Sequence, residues 1–247
     1  MTPTRQRHLL FALLAAGLLL VIIATIIALT RPQRDIQIAA PADPSLPPGG
    51  FTFFDVDRAT VLDRSLRKKL ADTLGSDAIA HATPIDLTIV GPHFLRDHLP
   101  VLDTLNQRLN PAMGGRREHD TTRLTYHRAE RHSMPFRYIE LVFSNRNGRP
   151  LYFIINPTED FADSIATLAS KYGPPRIIQT DNGDAPVRVW EQAGDILVGT
   201  SFTRRNGRLA QELRIYFVDN LKHLVESEDK ALKQQESSSR KAGERAF

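Results

Sequence analysis

The spacing of apolar and polar positions divides the chain into stretches of different character. From Leu9 to Leu29 the sequence LLFALLAAGLLLVIIATIIAL carries no charge, and only Gly17 and Thr25 interrupt its aliphatic run. A bilayer core asks for about 20 such residues in a helix, so the pattern predicts a transmembrane span over 9–30 behind a short head at 1–8. Residues 31–50, RPQRDIQIAAPADPSLPPGG, have no period and are rich in proline, which predicts a semi-extended stalk. Beyond residue 50 two periods alternate. Leu62, Leu66, Leu70 and Leu74 recur at steps of four and predict a helix over 58–74 with Asp57 as its cap, in a juxtamembrane segment spanning 51–76. Phe94, Val101, Leu102, Leu105 and Leu109 predict a helix over 93–109, with Pro100 marking a break or a fresh start, and Phe161, Ile165, Leu168 and Tyr172 predict another over 159–172.

Between and after these helices, short runs at 136–144, 151–155, 195–203 and 214–218 are rich in Ile, Val, Phe and Tyr, which suits strands, and 121–128, 176–180 and 187–192 are strand-like. Two of the junctions repeat a phrase. Phe143 to Arg149 reads FSNRNGR and Phe202 to Arg208 reads FTRRNGR. Asn-Gly between apolar runs predicts a type I′ hairpin turn at Asn147-Gly148 and at Asn206-Gly207, because both central residues of that turn need positive φ. Each phrase is preceded by strand-like runs and, before them, a helix. The fold expected is therefore α+β: an N-terminal transmembrane helix, then a tandem of helix-plus-antiparallel-meander units at 77–157 and 158–220. Residues 221–247 are polar and predict a helical or disordered tail.

The second unit, with Gly173-x-Pro175 after its helix, Trp190 in a strand and the Asn206-Gly207 hairpin, resembles the module of the outer-membrane assembly lipoprotein family SmpA/OmlA. The tandem arrangement is similar to the doubled fold of the β-lactamase inhibitor protein. Both resemblances imply binding to other proteins. The lipoprotein family is anchored through a cysteine, and this chain has none.

The absence of cysteine also excludes disulfides, thiolate catalysis and cysteine-ligated zinc. With the head too short to be a domain, the expected topology is N-in at a bacterial inner membrane, with the long C-terminal part periplasmic. Net charge is only +4, and the Arg-rich stretch 114–132 has Tyr126 as its lone aromatic, so nucleic-acid binding is not expected. The same stretch offers Arg116, Arg117, Arg123, Arg128 and Arg131 as a patch for an anionic partner, either an envelope protein or an acidic lipid. A second basic set, Arg58, Arg64, Arg67, Lys68 and Lys69, lies on the 58–74 helix, facing either acidic head groups or solvent.

No phosphate-binding loop, dinucleotide fingerprint, zincin or nucleophile-elbow motif occurs. No catalytic set, cofactor site or metal site is expected. An enzyme reading would need His119, His127 or His132 to converge with carboxylates from elsewhere. Asp181-Asn-Gly-Asp184 lacks the remaining ligands of a calcium loop and reads as a turn. The function expected is a membrane-anchored envelope protein with an extracytoplasmic binding domain of unknown ligand. The competing readings are a structural subunit of a membrane complex and, behind it, a hydrolase or metal-dependent enzyme built on 119–132.

Overall fold

The computed structural model describes residues 50–91, 93–111, 117–127, 134–158, 161–180, 185–203, 207 and 209–246. Helix α1 is Arg64–Leu74 and is followed by the edge strand β1, Ala78–Thr83. Two short helices come next, α2 over Phe94–His98 and α3 over Pro100–Leu109, then β2 (His119–His127), β3 (Phe136–Ser144) and β4 (Pro150–Pro157). The remainder is α4 (Phe161–Tyr172), β5 (Arg176–Ile178), β6 (Val187–Gln192), β7 (Asp195–Thr203), β8 (Leu209–Tyr216) and α5 (Val218–Ala246).

All eight strands form one antiparallel sheet in the order β1-β2-β3-β4-β8-β7-β6-β5. This single sheet corrects the expected tandem of two helix-plus-meander units, for which one sheet and two were both open. The two runs of consecutive strands are fused where β4 pairs with β8, Tyr152 opposite Tyr216 and Ile155 opposite Leu213. The reason lies in the strands themselves. The runs LVF (141–143), LYFI (151–154) and IYF (215–217) are apolar without alternation, as expected of strands buried on both faces. Such strands cannot end a sheet, because their outer backbone groups would be buried without partners.

The helices depart from repetition as well. On one face, Leu102, Leu105 and Leu109 of α3 and Leu221, Leu224 and Val225 of α5 pack on Val142, Tyr152, Val189, Val198 and Tyr216. On the other, Leu70 and Leu74 of α1 and Phe161 and Tyr172 of α4 pack on Leu124, Leu141, Phe153, Trp190, Leu197 and Ile215. The helices preceding the two repeated phrases, α3 and α4, therefore lie on opposite faces. Two equivalent units would place them on the same one.

Local details differ for identifiable reasons. Helix α1 starts at Arg64 with Asp63 as its cap, the carboxylate accepting from the Leu66 amide at 2.7 Å. Asp57 instead closes a tight turn, its carboxylate accepting from the amides of Ala59 (3.0 Å) and Thr60 (2.9 Å). Pro100 occupies the first turn of α3, where its missing N–H has no intrahelical acceptor anyway.

The turn after β3 is not type I′. Asn147 is absent from the positive-φ residues, and only Gly148 (φ +69°) is left-handed. The Ser144 amide donates to Arg149 O at 2.9 Å and the Gly148 amide to Ser144 O at 2.8 Å, which makes 145–148 a four-residue loop. Two-residue turns with both φ positive occur instead at Phe54-Asp55 (48° and 62°), closed by the Phe53–Val56 bridge, and at Ala193-Gly194 (48° and 86°), closed by the pairing of Gln192 with Asp195.

Among the described residues no helix is long and apolar enough to cross a membrane. The single-pass transmembrane description is corrected accordingly. The span expected over 9–30 lies outside the described residues, as do the stalk residues 31–49 and the Asp181–Asp184 turn. The leucine stripe of α1 serves the domain: Leu70 and Leu74 are buried against the sheet, and Leu62 and Leu66 pack beside them.

Candidate functional site

Of the arginines expected to form an anionic-partner patch, Arg116, Arg128 and Arg131 lie outside the described residues. The other two each stand beside a glutamate. Arg117 Nη2 is 3.3 Å from Glu228 of α5, the same carboxylate oxygen that His119 Nδ1 meets at 2.9 Å. Arg123, on the α3 face of β2, is 3.4 Å from Glu140 of β3.

Arg123 belongs to a larger polar cluster on that face. Glu140 accepts from Tyr138 at 2.7 Å and from Tyr152 at 3.2 Å. Farther along, Arg214 of β8 donates to Glu212 at 2.5 Å and meets Tyr216 at 3.4 Å. Burial, reinforced by the Glu140 carboxylate, pushes the hydroxyls of Tyr138 and Tyr152 well above the usual phenol range, so they act as donors at neutral pH. Burial works against the charge of Arg214, but Tyr216 and Glu212 beside it hold its pKa above the ordinary arginine value.

The spare donors of this cluster reach backbone. Arg123 Nη2 donates to Pro84 O (3.1 Å), Arg214 Nη1 to Thr88 O (2.6 Å) and the Tyr216 hydroxyl to Leu87 O (3.2 Å). Three carbonyls of the segment that follows β1 are thereby fastened to the sheet. With each guanidinium matched by one carboxylate and its remaining contacts on the chain itself, the cluster is a clamp holding 84–88 across the sheet.

The histidines do not assemble. His119 and His127 stand at opposite ends of β2, about 26 Å apart at the usual rise per strand residue, and His132 lies outside the described residues. No group of three metal-ligating side chains occurs among the described residues.

The site with uncommitted groups lies on the other face, between α1 and β1. A cleft of about 320 Å³ is lined by Leu62, Asp63, Arg64, Arg67, Ile79, His81, Thr122 and Leu124. Leu124 is fully buried and forms its apolar floor, with Ile79 directly opposite it across the β1–β2 pairing. His81 is held to the sheet by a 3.1 Å contact between Nδ1 and Thr122 Oγ1. The wall at Leu62 is fixed from the β3–β4 loop, where Gly148 O accepts from the Leu62 amide at 2.8 Å.

The charges around this cleft are nearly all spent. Arg67 is paired with Asp77 at 2.8 Å, Lys68 with Asp72 at 2.6 Å and Lys69 with Asp55 at 3.0 Å. Arg58 is paired with the buried Asp195 at 2.9 Å, and Asp63 is turned into its helix cap. Of the five cations read from the sequence as a basic helix face, Arg64 alone has no ion-pair partner among the described residues.

Beside the cleft runs β1, AIAHAT. It ends the sheet, carries no Asp, Glu, Lys, Arg or Pro, and is exposed from Ala78 to Ala82. Sequence reasoning passed over this strand, since five successive exposed and mostly small residues show no alternation of burial to detect. No family model, curated protein or solved structure matches this chain.

Proposed function

We propose that this chain is a membrane-associated envelope binding protein whose α+β domain takes a protein partner at the cleft between α1 and β1. The observation that carries the reading is the conjunction of an unprotected sheet edge, an apolar floor and one unpaired arginine at a single place. Natural sheets guard their edges with charge, proline, shortness, a bulge or a covering element. β1 has no charge and no proline, and its bulge lies at its last residues, at Ala82, which leaves Ala78–His81 in regular register with β2. An acidic lipid surface is a poorer match, because four of the five nearby cations are already neutralised by aspartates. The envelope location rests on the uncharged run Leu9–Leu29. Binding is favoured over catalysis by the way the polar clusters spend their groups on the chain's own backbone.

The test is site-specific photo-crosslinking of the full chain in cells, with the probe at position 79 or at position 177 on the opposite edge. The expected result is one identifiable protein adduct at 79 that is absent at 177 and lost when Arg64 is replaced by Glu. Equal labelling at both edges would overturn the reading.

A further inference from the structure

Resting on that reading, we infer that the partner is an extended peptide segment that adds to β1 as a ninth strand, seating an aliphatic side chain between Leu62, Ile79 and Leu124 and a carboxylate against Arg64. Strand addition follows from what the edge offers. The outer backbone groups of Ala78–Thr83 have no strand partner, and an incoming strand can meet them with main-chain hydrogen bonds. Ala78 and Ala80 project from one face of β1 and leave the approach open, whereas Ile79 and His81 project on the side of α1; the alternation ends at the bulge at Ala82 (φ +51°).

A ninth strand would send alternate side chains to that same side, where the cleft opens over Leu124. The floor there is aliphatic and the volume is at the small end for a ligand pocket. It suits one branched side chain at a time better than a helix face. The carboxylate follows from charge. Asp63 is engaged by the Leu66 amide and Arg67 by Asp77, which leaves Arg64 as the cleft's unmatched charge. A second copy of this chain pairing through β1 would bring AIAHAT, which has no carboxylate to offer. An acidic-aliphatic segment of another protein fits both features.

The experiment uses the full chain and a fluorescein-labelled eight-residue peptide of alternating Val and Thr with one Glu, followed by fluorescence anisotropy. Four comparators share its sequence: Glu replaced by Gln, Glu replaced by Lys, alternate backbone amides N-methylated, and the residues scrambled. Saturable binding is expected, weakened about fivefold in the Gln peptide, as befits an exposed charge pair. The Lys peptide should bind more weakly still and recover on Arg64→Glu. N-methylation should cost at least about tenfold, because it removes the main-chain donors.

Equal binding of the N-methylated peptide would overturn strand addition while leaving a binding cleft in place. Equal binding of the Glu and Lys peptides would overturn the carboxylate. Binding of the scrambled peptide as tight as the designed one would overturn the alternation of side chains. If none of these peptides bound and the chain dimerised through β1, with dimerisation lost in Ala80→Lys, the peptide partner itself would be wrong. Crosslinking at position 79 would then separate that failure from failure of the binding reading.

Discussion

The two halves of the sheet share an order of strands and a repeated turn phrase, yet they finish differently. The half β1–β4 ends in a six-residue strand without charge or proline, lying beside an open cleft. The half β5–β8 ends in three residues, Arg176–Ile178, entered through Gly173, Pro174 and Pro175. There Arg176 donates to Glu191 on the neighbouring strand at 2.9 Å and to His98 O at 3.3 Å. Shortness, proline and a tethered charge are the devices that discourage strand addition. One edge carries these devices, and the other lacks charge and proline. A repeated phrase in the sequence thus occurs in both halves, and the differences lie at the two edges of the sheet.

The turns differ in what supports them, and that difference can be broken experimentally. In the β5–β8 half, the strained Ala193-Gly194 turn is held from outside. Arg58 donates to Ala193 O and to the Asp195 carboxylate, and that side chain is almost fully buried. Replacing Arg58 by Ala leaves a buried carboxyl without its cation and should cost about 3 kcal/mol in urea unfolding. Burial raises the Asp195 carboxyl to about 6 even with Arg58 in place. A raised folded-state pKa means the folded protein binds this proton more tightly than the unfolded chain. This group therefore adds stability as pH falls from about 6 toward the unfolded value of roughly 4, and withdraws it as pH rises. In Arg58→Ala that recovery should begin at a higher pH, and a flat profile between pH 7 and 5 would contradict the assignment.

A smaller effect separates the two Asn-Gly turns. Gly148 and Gly207 both have positive φ, +69° and +74°, but a Cβ on Gly148 would stand 2.7 Å from Val61 Cγ1, whereas nothing lies within 4 Å at Gly207. Gly207→Ala should lose about 1 kcal/mol from backbone strain, and Gly148→Ala about 2 kcal/mol because Val61 must also move. Equal midpoints would remove the distinction. Since Gly148 O holds Leu62, only the Gly148 variant should also weaken peptide binding at the cleft.

The smallest stability effects belong to the edges. Ala80→Lys on β1 and Ile177→Lys on β5 replace exposed side chains, and each should change stability by less than about 0.5 kcal/mol. Their effects on binding should nonetheless diverge. A lysine on β1 introduces the guard that the strand lacks and should reduce peptide affinity at least about tenfold, while the β5 variant should bind as the parent does.

Much of the fold was legible where burial writes a period. The leucines at steps of four in α1, the Leu102, Leu105 and Leu109 face of α3 and the apolar runs of β3, β4, β7 and β8 all carry the signature of the surface they bury. The α+β content followed from these. The fusion of β4 to β8 did not, because pairing partners distant in sequence leave no periodic trace in either strand. The Ala193-Gly194 turn escaped notice because alanine rarely takes positive φ, and its support, Arg58, is 135 residues away. At the candidate site, Arg64 was visible only as one cation among five. Its isolation depends on the aspartates that claim the others. Ile79 and His81 sit in a strand with no buried face to impose alternation, so nothing in the sequence separated them from a loop.

Amide hydrogen exchange of the full chain, followed by mass spectrometry with and without the acidic-aliphatic peptide, tests most directly whether the open edge is the docking site. In the free protein the amides of Ala78–Thr83 should exchange faster than those of the central strands β4 and β8. At saturating peptide they should become protected, with Arg176–Ile178 unchanged. Protection at β5, or none at β1 under conditions where the peptide is bound, would contradict the account.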